Sequence, residues 1–138
     1  MLKKIYQFHS SLAQDKWQQI KDASFLIVHS LPSEDESIRA FGEKLCQAIN
    51  LNKQELGILA IKDSVFFDFG ALKHSISEGH IIWMSEHPEE YFPNVRIQYY
   101  EWFNLSGLHI LFTDHSTALM QDKEMKVKLW QSLKNEFL

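Results

Sequence analysis

The 138-residue chain has one cysteine, three prolines and five glycines. A lone Cys46 cannot close an internal disulfide, hold an iron–sulfur cluster or fill a cysteine-rich zinc site, so several kinds of chemistry drop out at once. So little Gly and Pro also excludes collagen-like and low-complexity architectures. Long apolar runs are missing: nothing approaches the roughly 18 to 20 residues that span a bilayer. The opening MLKKIYQFHSSLAQDKWQQ turns polar before the apolar stretch of a signal peptide could form. A soluble, cytoplasmic protein without membrane contact is the expectation. The formal charge of −4 argues against wide, sequence-independent contact with a phosphate backbone, while a local basic patch stays open.

What is present is material for a core, with 45% hydrophobic and 13% aromatic residues, enough for one compact domain. Leu12, Ala13, Trp17 and Ile20 fall near helical spacing, so a helix is expected in a segment over residues 1–24 that carries four Lys against two Asp. The α/β domain is placed at residues 25–138. Phe25-Leu26-Ile27-Val28 is an unbroken apolar run, as in a strand covered on both faces. Ser33 with Glu36 forms a capping-box pattern, and Ile38, Phe41, Leu45, Ala48 and Ile49 make one apolar helical face. Residues 56–61 read as a second strand, giving a parallel βαβ unit. Residues 63–77, with Phe66, Phe67 and Phe69, fit neither period. A third strand is expected at 80–84, a short helix or turn at 89–92 closed by Pro93, extended segments at 96–102 and 108–112, and a final helix from about Asp122. The alternation predicts a three-layer α/β/α sandwich with a four- or five-stranded, mostly parallel sheet.

Ligands of such sheets meet the carboxyl ends of the strands, which directs attention to residues 29–36 and 113–119. The second of these loops reads Thr113-Asp114-His115-Ser116-Thr117-Ala118-Leu119, with Lys126 and Trp130 on the helix beyond. The pattern is similar to the last motif of the uracil-DNA glycosylase superfamily, where a strand ends in His, then Pro or Ser and a Leu, before a helix bearing Lys and Trp. Pro32, the acidic run Glu34, Asp35 and Glu36, and Phe41-Gly42 stand where the shorter glycosylases carry their first motif. The resemblance implies a uracil-DNA-glycosylase-like fold, with His115 as electrophilic donor to the pyrimidine oxygen, Asp35 or Glu36 placing water, and Phe41 stacking on a flipped base. Ser33 stands where those enzymes place a Gly beside the Pro.

The chain also resembles the psi subunits of the bacterial DNA polymerase III clamp loader, through its length, its segment ahead of the first strand, its acidity and Leu129-Trp130-Gln131 on the last helix. That resemblance implies a non-enzymatic interaction subunit in DNA replication. Its partner would be a protein of the clamp-loader or single-strand-binding machinery, with Tyr6 and Trp17 as anchors. It is the favoured reading, and a DNA glycosylase of base-excision repair is the alternative. The bland readings are a structural His115 and acidic residues that stabilise a helix start. The histidines at 9, 29, 74, 80, 87, 109 and 115 form no close sequence pair, and no metal or cofactor is expected. His29 and His115 converge only if their strands are neighbours.

Overall fold

Phe25, Leu26, Ile27 and Val28 have no polar neighbours to alternate with, and the strand they form, β1 (Phe25–His29), is buried at all five positions. The computed structural model describes residues 23–30, 35–61, 79–85 and 87–138. The expected N-terminal helix, Tyr6, Trp17, the loop residues Pro32, Ser33 and Glu34, and the Phe66, Phe67 and Phe69 cluster lie outside the described residues.

After β1 come α1 (Asp35–Ala48), a 3-10 turn (Lys53–Glu55) and β2 (Leu56–Ala60). Then follow β3 (Gly79–Trp83), α2 (Pro88–Tyr91), β4 (Trp102–Leu105), β5 (Leu108–Phe112), α3 (Ser116–Gln121) and α4 (Lys123–Phe137). The described strands form one five-stranded sheet in the order β2-β1-β3-β5-β4. Strands β2, β1, β3 and β5 run parallel, and β4 pairs antiparallel with β5. The chain leaves β1 toward β2 and returns to β3 on the other side, so the topological switch lies between β1 and β3.

Strand alternation sorts the core into two faces. Leu26, Val28, Ile81, Trp83, Ile110 and Phe112 point to one, where Tyr91, Phe92, Val95 and Ile97 meet them. Trp83 is fully buried there, its ring 4.9 Å from Phe92 and 5.3 Å from Tyr91. Phe25, Ile27, Ile82, Met84 and Leu111 point to the other face, covered by Ile38, Cys46 and Ile49 of α1 and its end, Leu119 of α3, and Leu129 and Leu133 of α4. Each such side chain removed from water contributes about 1.5 to 3 kcal/mol.

The buried stripe of α1 runs through Ile38, Gly42 and Cys46 to Ile49 just past its end, with Phe41 and Leu45 half-buried beside it, while Ala48, expected on this face, is exposed. Gly42 is there because the helix lies close on the sheet: a Cβ would stand 2.8 Å from Ile27 Cδ1 and 3.0 Å from Leu56 Cδ2. Asp122 starts α4, its carboxylate accepting from the Glu124 and Met125 N–H groups at 2.8 and 3.1 Å.

The expected strand over 96–102 is corrected. Tyr99 makes only an isolated bridge to Phe112, and the strand falls instead at Trp102–Leu105. Two local conformations cause the shift. Tyr100 adopts φ 66°, which breaks the extended run, and Ser106 and Gly107 at φ 54° and 93° make a two-residue hairpin turn that pairs Leu105 with Leu108.

Gly42→Leu should lower the denaturation midpoint by an amount equivalent to about 1 to 3 kcal/mol through overpacking. Gly42→Ala should cost less, because Ala gains about 1 kcal/mol of helix propensity over Gly. Burial and the nearby Glu55 and Glu43 push the Cys46 thiol up to about 11. A thiol reagent at neutral pH should therefore leave Cys46 unmodified in the native chain and label it once denaturant is added, as read by mass spectrometry.

Candidate functional site

At the carboxyl end of the sheet, backbone bonds fasten the turn after β5 onto the end of β3. The Thr113 N–H donates to Trp83 O at 3.0 Å and the Ser116 N–H to Met84 O at 3.1 Å. This brings His115, the N-cap of α3, over the switch between β1 and β3 and against Ser30 just beyond β1. The strands of His29 and His115 are not neighbours, since β3 lies between them, and His29 is wholly buried at the end of β1.

Two contacts fix the His115 ring. Its Nδ1 accepts the Thr117 N–H at 3.2 Å, and its Nε2 lies 3.2 Å from Ser30 Oγ. A nitrogen that accepts from a backbone N–H carries no proton, so in the neutral ring the proton sits on Nε2, which donates to the serine hydroxyl. In this tautomer His115 is a hydrogen-bond donor at the strand ends and cannot take a proton from Ser30. The geometry therefore suits stabilisation of negative charge rather than activation of a serine nucleophile.

Beside it, the Tyr100 hydroxyl donates to Asp114 Oδ2 at 2.6 Å. Burial pushes the phenol well above its ordinary value, and the bond to the carboxylate adds to the effect. Tyr100 is held by its backbone as well: its N–H donates to Phe112 O at 2.8 Å and its carbonyl accepts from Ser132 Oγ at 2.6 Å. Glu36 is exposed on the first turn of α1. Phe41 is half-buried and packs against the core beneath α1. Asp35 opens α1, and its side chain lies outside the described residues.

The opposite end of the sheet gathers a second group. His80 and His109 occupy paired positions on β3 and β5. Glu136, in the last turn of α4, places Oε2 at 2.7 Å from His80 Nε2 and 3.0 Å from His109 Nδ1. The His80 ring lies 4.4 Å from that of Phe137 in a tilted contact and meets Trp102 edge-on at 5.2 Å. Burial draws His80 below its ordinary value, while its hydrogen bond and attraction to Glu136 oppose that shift.

In sequence these histidines form no close pair, since 29 positions separate them. The signal was their matching place: each is the second residue of a short strand otherwise dominated by apolar residues, Gly79-His80-Ile81-Ile82 and Leu108-His109-Ile110-Leu111. Pairing those strands as neighbours would have put the two rings together. Ser30 and Tyr100 were missed for a different reason, since single residues beside the motif carry no pattern.

Tyr100→Phe should destabilise the fold by about 1 to 2 kcal/mol, because the Asp114 carboxylate loses its donor. The loss should shrink at high pH. An unfolded phenol ionises near 10.0, whereas the folded one resists, so this stabilisation is present below that pH and is lost as pH rises above it. Denaturation midpoints from neutral to alkaline pH should therefore fall more steeply for the wild type than for the variant. A scan against protein-family models and a search of curated proteins both find no match to the chain.

Proposed function

We propose that the chain is a non-enzymatic protein-interaction subunit, resembling the psi component of a bacterial DNA polymerase III clamp loader and built on a uracil-DNA-glycosylase-like scaffold. The observation that carries this reading is the engagement of the two candidate groups at the carboxyl end, His115 and Asp114, by neighbouring protein groups. Both nitrogens of His115 are engaged by Thr117 and Ser30, and the Asp114 carboxylate is engaged by Tyr100. Phe41, the residue expected to stack on a flipped base, is half-buried and packs from α1 against the core. A catalytic pocket needs donors and a carboxylate aimed at substrate, and here they are aimed at neighbouring protein groups. The five-stranded, mostly parallel sheet is compatible with the scaffold. In this reading the segment over residues 1–24 docks on the partner through Tyr6 and Trp17. The partner is a protein of the clamp-loader or single-strand-binding machinery, and the acidic balance disfavours nucleic acid as the main ligand.

The alternative, a uracil-DNA glycosylase, draws support from one feature: the Nε2–H of His115 is the donor tautomer that an anionic pyrimidine oxygen requires.

Size-exclusion chromatography with a purified bacterial clamp-loader complex tests the main reading. The wild-type chain should co-elute, and Tyr6→Ala combined with Trp17→Ala should weaken the complex about tenfold or more. Excision assays on uracil-containing single- and double-stranded oligonucleotides should show no cleavage above that of His115→Ala. Cleavage that disappears in the variant would establish the enzyme reading instead.

A further inference from the structure

We infer that His80, His109 and Glu136 form a binding site for a divalent transition cation, with zinc as the metal that fits best. The three side chains each offer one ligand atom, and these atoms lie within 4.8 Å of one another. They come from three elements that the fold holds rigidly. His80 and His109 face each other across the parallel β3–β5 pair, so their backbones cannot drift apart without breaking the sheet. Glu136 is carried by α4, which is anchored one turn earlier by Leu133 in the core.

Chemistry selects the metal. Two imidazoles and one carboxylate are a borderline nitrogen–oxygen set, which suits zinc, whereas magnesium and calcium seek oxygen ligands. Zinc bonds of about 2.0 to 2.2 Å place tetrahedral ligands about 3.3 Å apart. Both imidazoles aim a nitrogen at the same oxygen, Glu136 Oε2, at 2.7 and 3.0 Å. A displacement of roughly half an ångström per ligand opens the triangle enough to admit the ion. Three protein ligands leave a fourth position. The side chains of His80, His109 and Glu136 are 26%, 40% and 23% exposed, so that position faces solvent and takes a water. Trp102 and Phe137 wall the inner side around His80.

The bound ion ties the last turn of α4 to the amino ends of β3 and β5. It is remote in the fold from the His115 turn, at the opposite end of the same strands, and does not depend on the function proposed for that turn.

Zinc chloride titrated into the chelator-treated 138-residue chain against a chromophoric chelator tests the site. One ion should bind per chain. Glu136→Gln, which keeps the side chain's shape, and His109→Ala should each weaken binding about tenfold or more, while His87→Ala, on an exposed position elsewhere, should leave it unchanged. Cobalt substitution should give the intense visible absorption of a tetrahedral centre in the wild type alone, and zinc should raise the melting temperature of the wild type more than that of Glu136→Gln. Far-UV circular dichroism establishes that each variant is folded. Should His109→Ala fail to fold, the Glu136→Gln comparison decides. Equal affinity in wild type and Glu136→Gln, or no stoichiometric zinc binding in a folded wild type, would overturn the inference and leave a hydrogen-bonded triad only.

Discussion

The parallel pairing of β3 with β5 is the constraint on which most of the molecule depends. Its register sets Ile81 against Ile110, Ile82 against Leu111 and Trp83 against Phe112. Because side chains alternate with period two, a slip of one residue would turn Ile110 and Phe112 out of the face that holds Trp83. It would also move the His115 turn away from the end of β3 and take His109 off the face it shares with His80. Both polar sites are thus consequences of one hydrophobic register, and neither can be shifted without dismantling the core between them.

Helix α4 completes what that register begins. It buries Leu129, Ser132 and Leu133 on the sheet, and Ser132 is the informative member. A serine in an apolar stripe would cost stability if left without partners. Here its hydroxyl donates to Tyr100 O at 2.6 Å, and its carbonyl accepts the Trp102 indole N–H at 2.9 Å. These bonds hold the unusual φ of Tyr100, and Tyr100 in turn orients Asp114 at the carboxyl end. Farther along the helix, Glu136 and the neighbouring Phe137 lie at the amino end beside His80. One helix face therefore links the two ends of the sheet through contacts of different kinds.

Much of this architecture was legible from residue order alone. Unbroken apolar runs such as Phe25-Leu26-Ile27-Val28 identify central strands because nothing else buries both faces, and the observed β1, β2, β3 and β5 fall within a residue of expectation. Expectation failed where backbone conformation, not hydrophobicity, decides. The residues 96–105 contain enough aromatic and β-branched side chains for a strand in either half. The choice was made by positive φ at Tyr100 and at Ser106-Gly107, of which only the Ser-Gly pair leaves a trace in the sequence. The face of α1 was legible at Ile38, Phe41, Leu45 and Ile49, which all pack on the core, whereas Ala48 is exposed and the close helix–sheet approach adds Gly42 and Cys46 to the buried stripe.

The two polar sites differ in how they come to exist, and that difference explains their unequal visibility. At the carboxyl end the groups around His115 lie largely within a few positions of one another: Thr117 is two residues away, and Asp114 is adjacent. Such a site leaves a motif, and the motif can be inherited with or without its chemistry, because local hydrogen bonds preserve its shape whether or not a substrate ever arrives. At the amino end no two of the three groups are near in sequence, and Glu136 is 56 positions from His80. Nothing local favours that arrangement. It exists only when the sheet is paired and α4 is docked, so its convergent donor atoms reflect the tertiary fold itself, and a ligand bound there would act directly on the stability of the packing that creates the site.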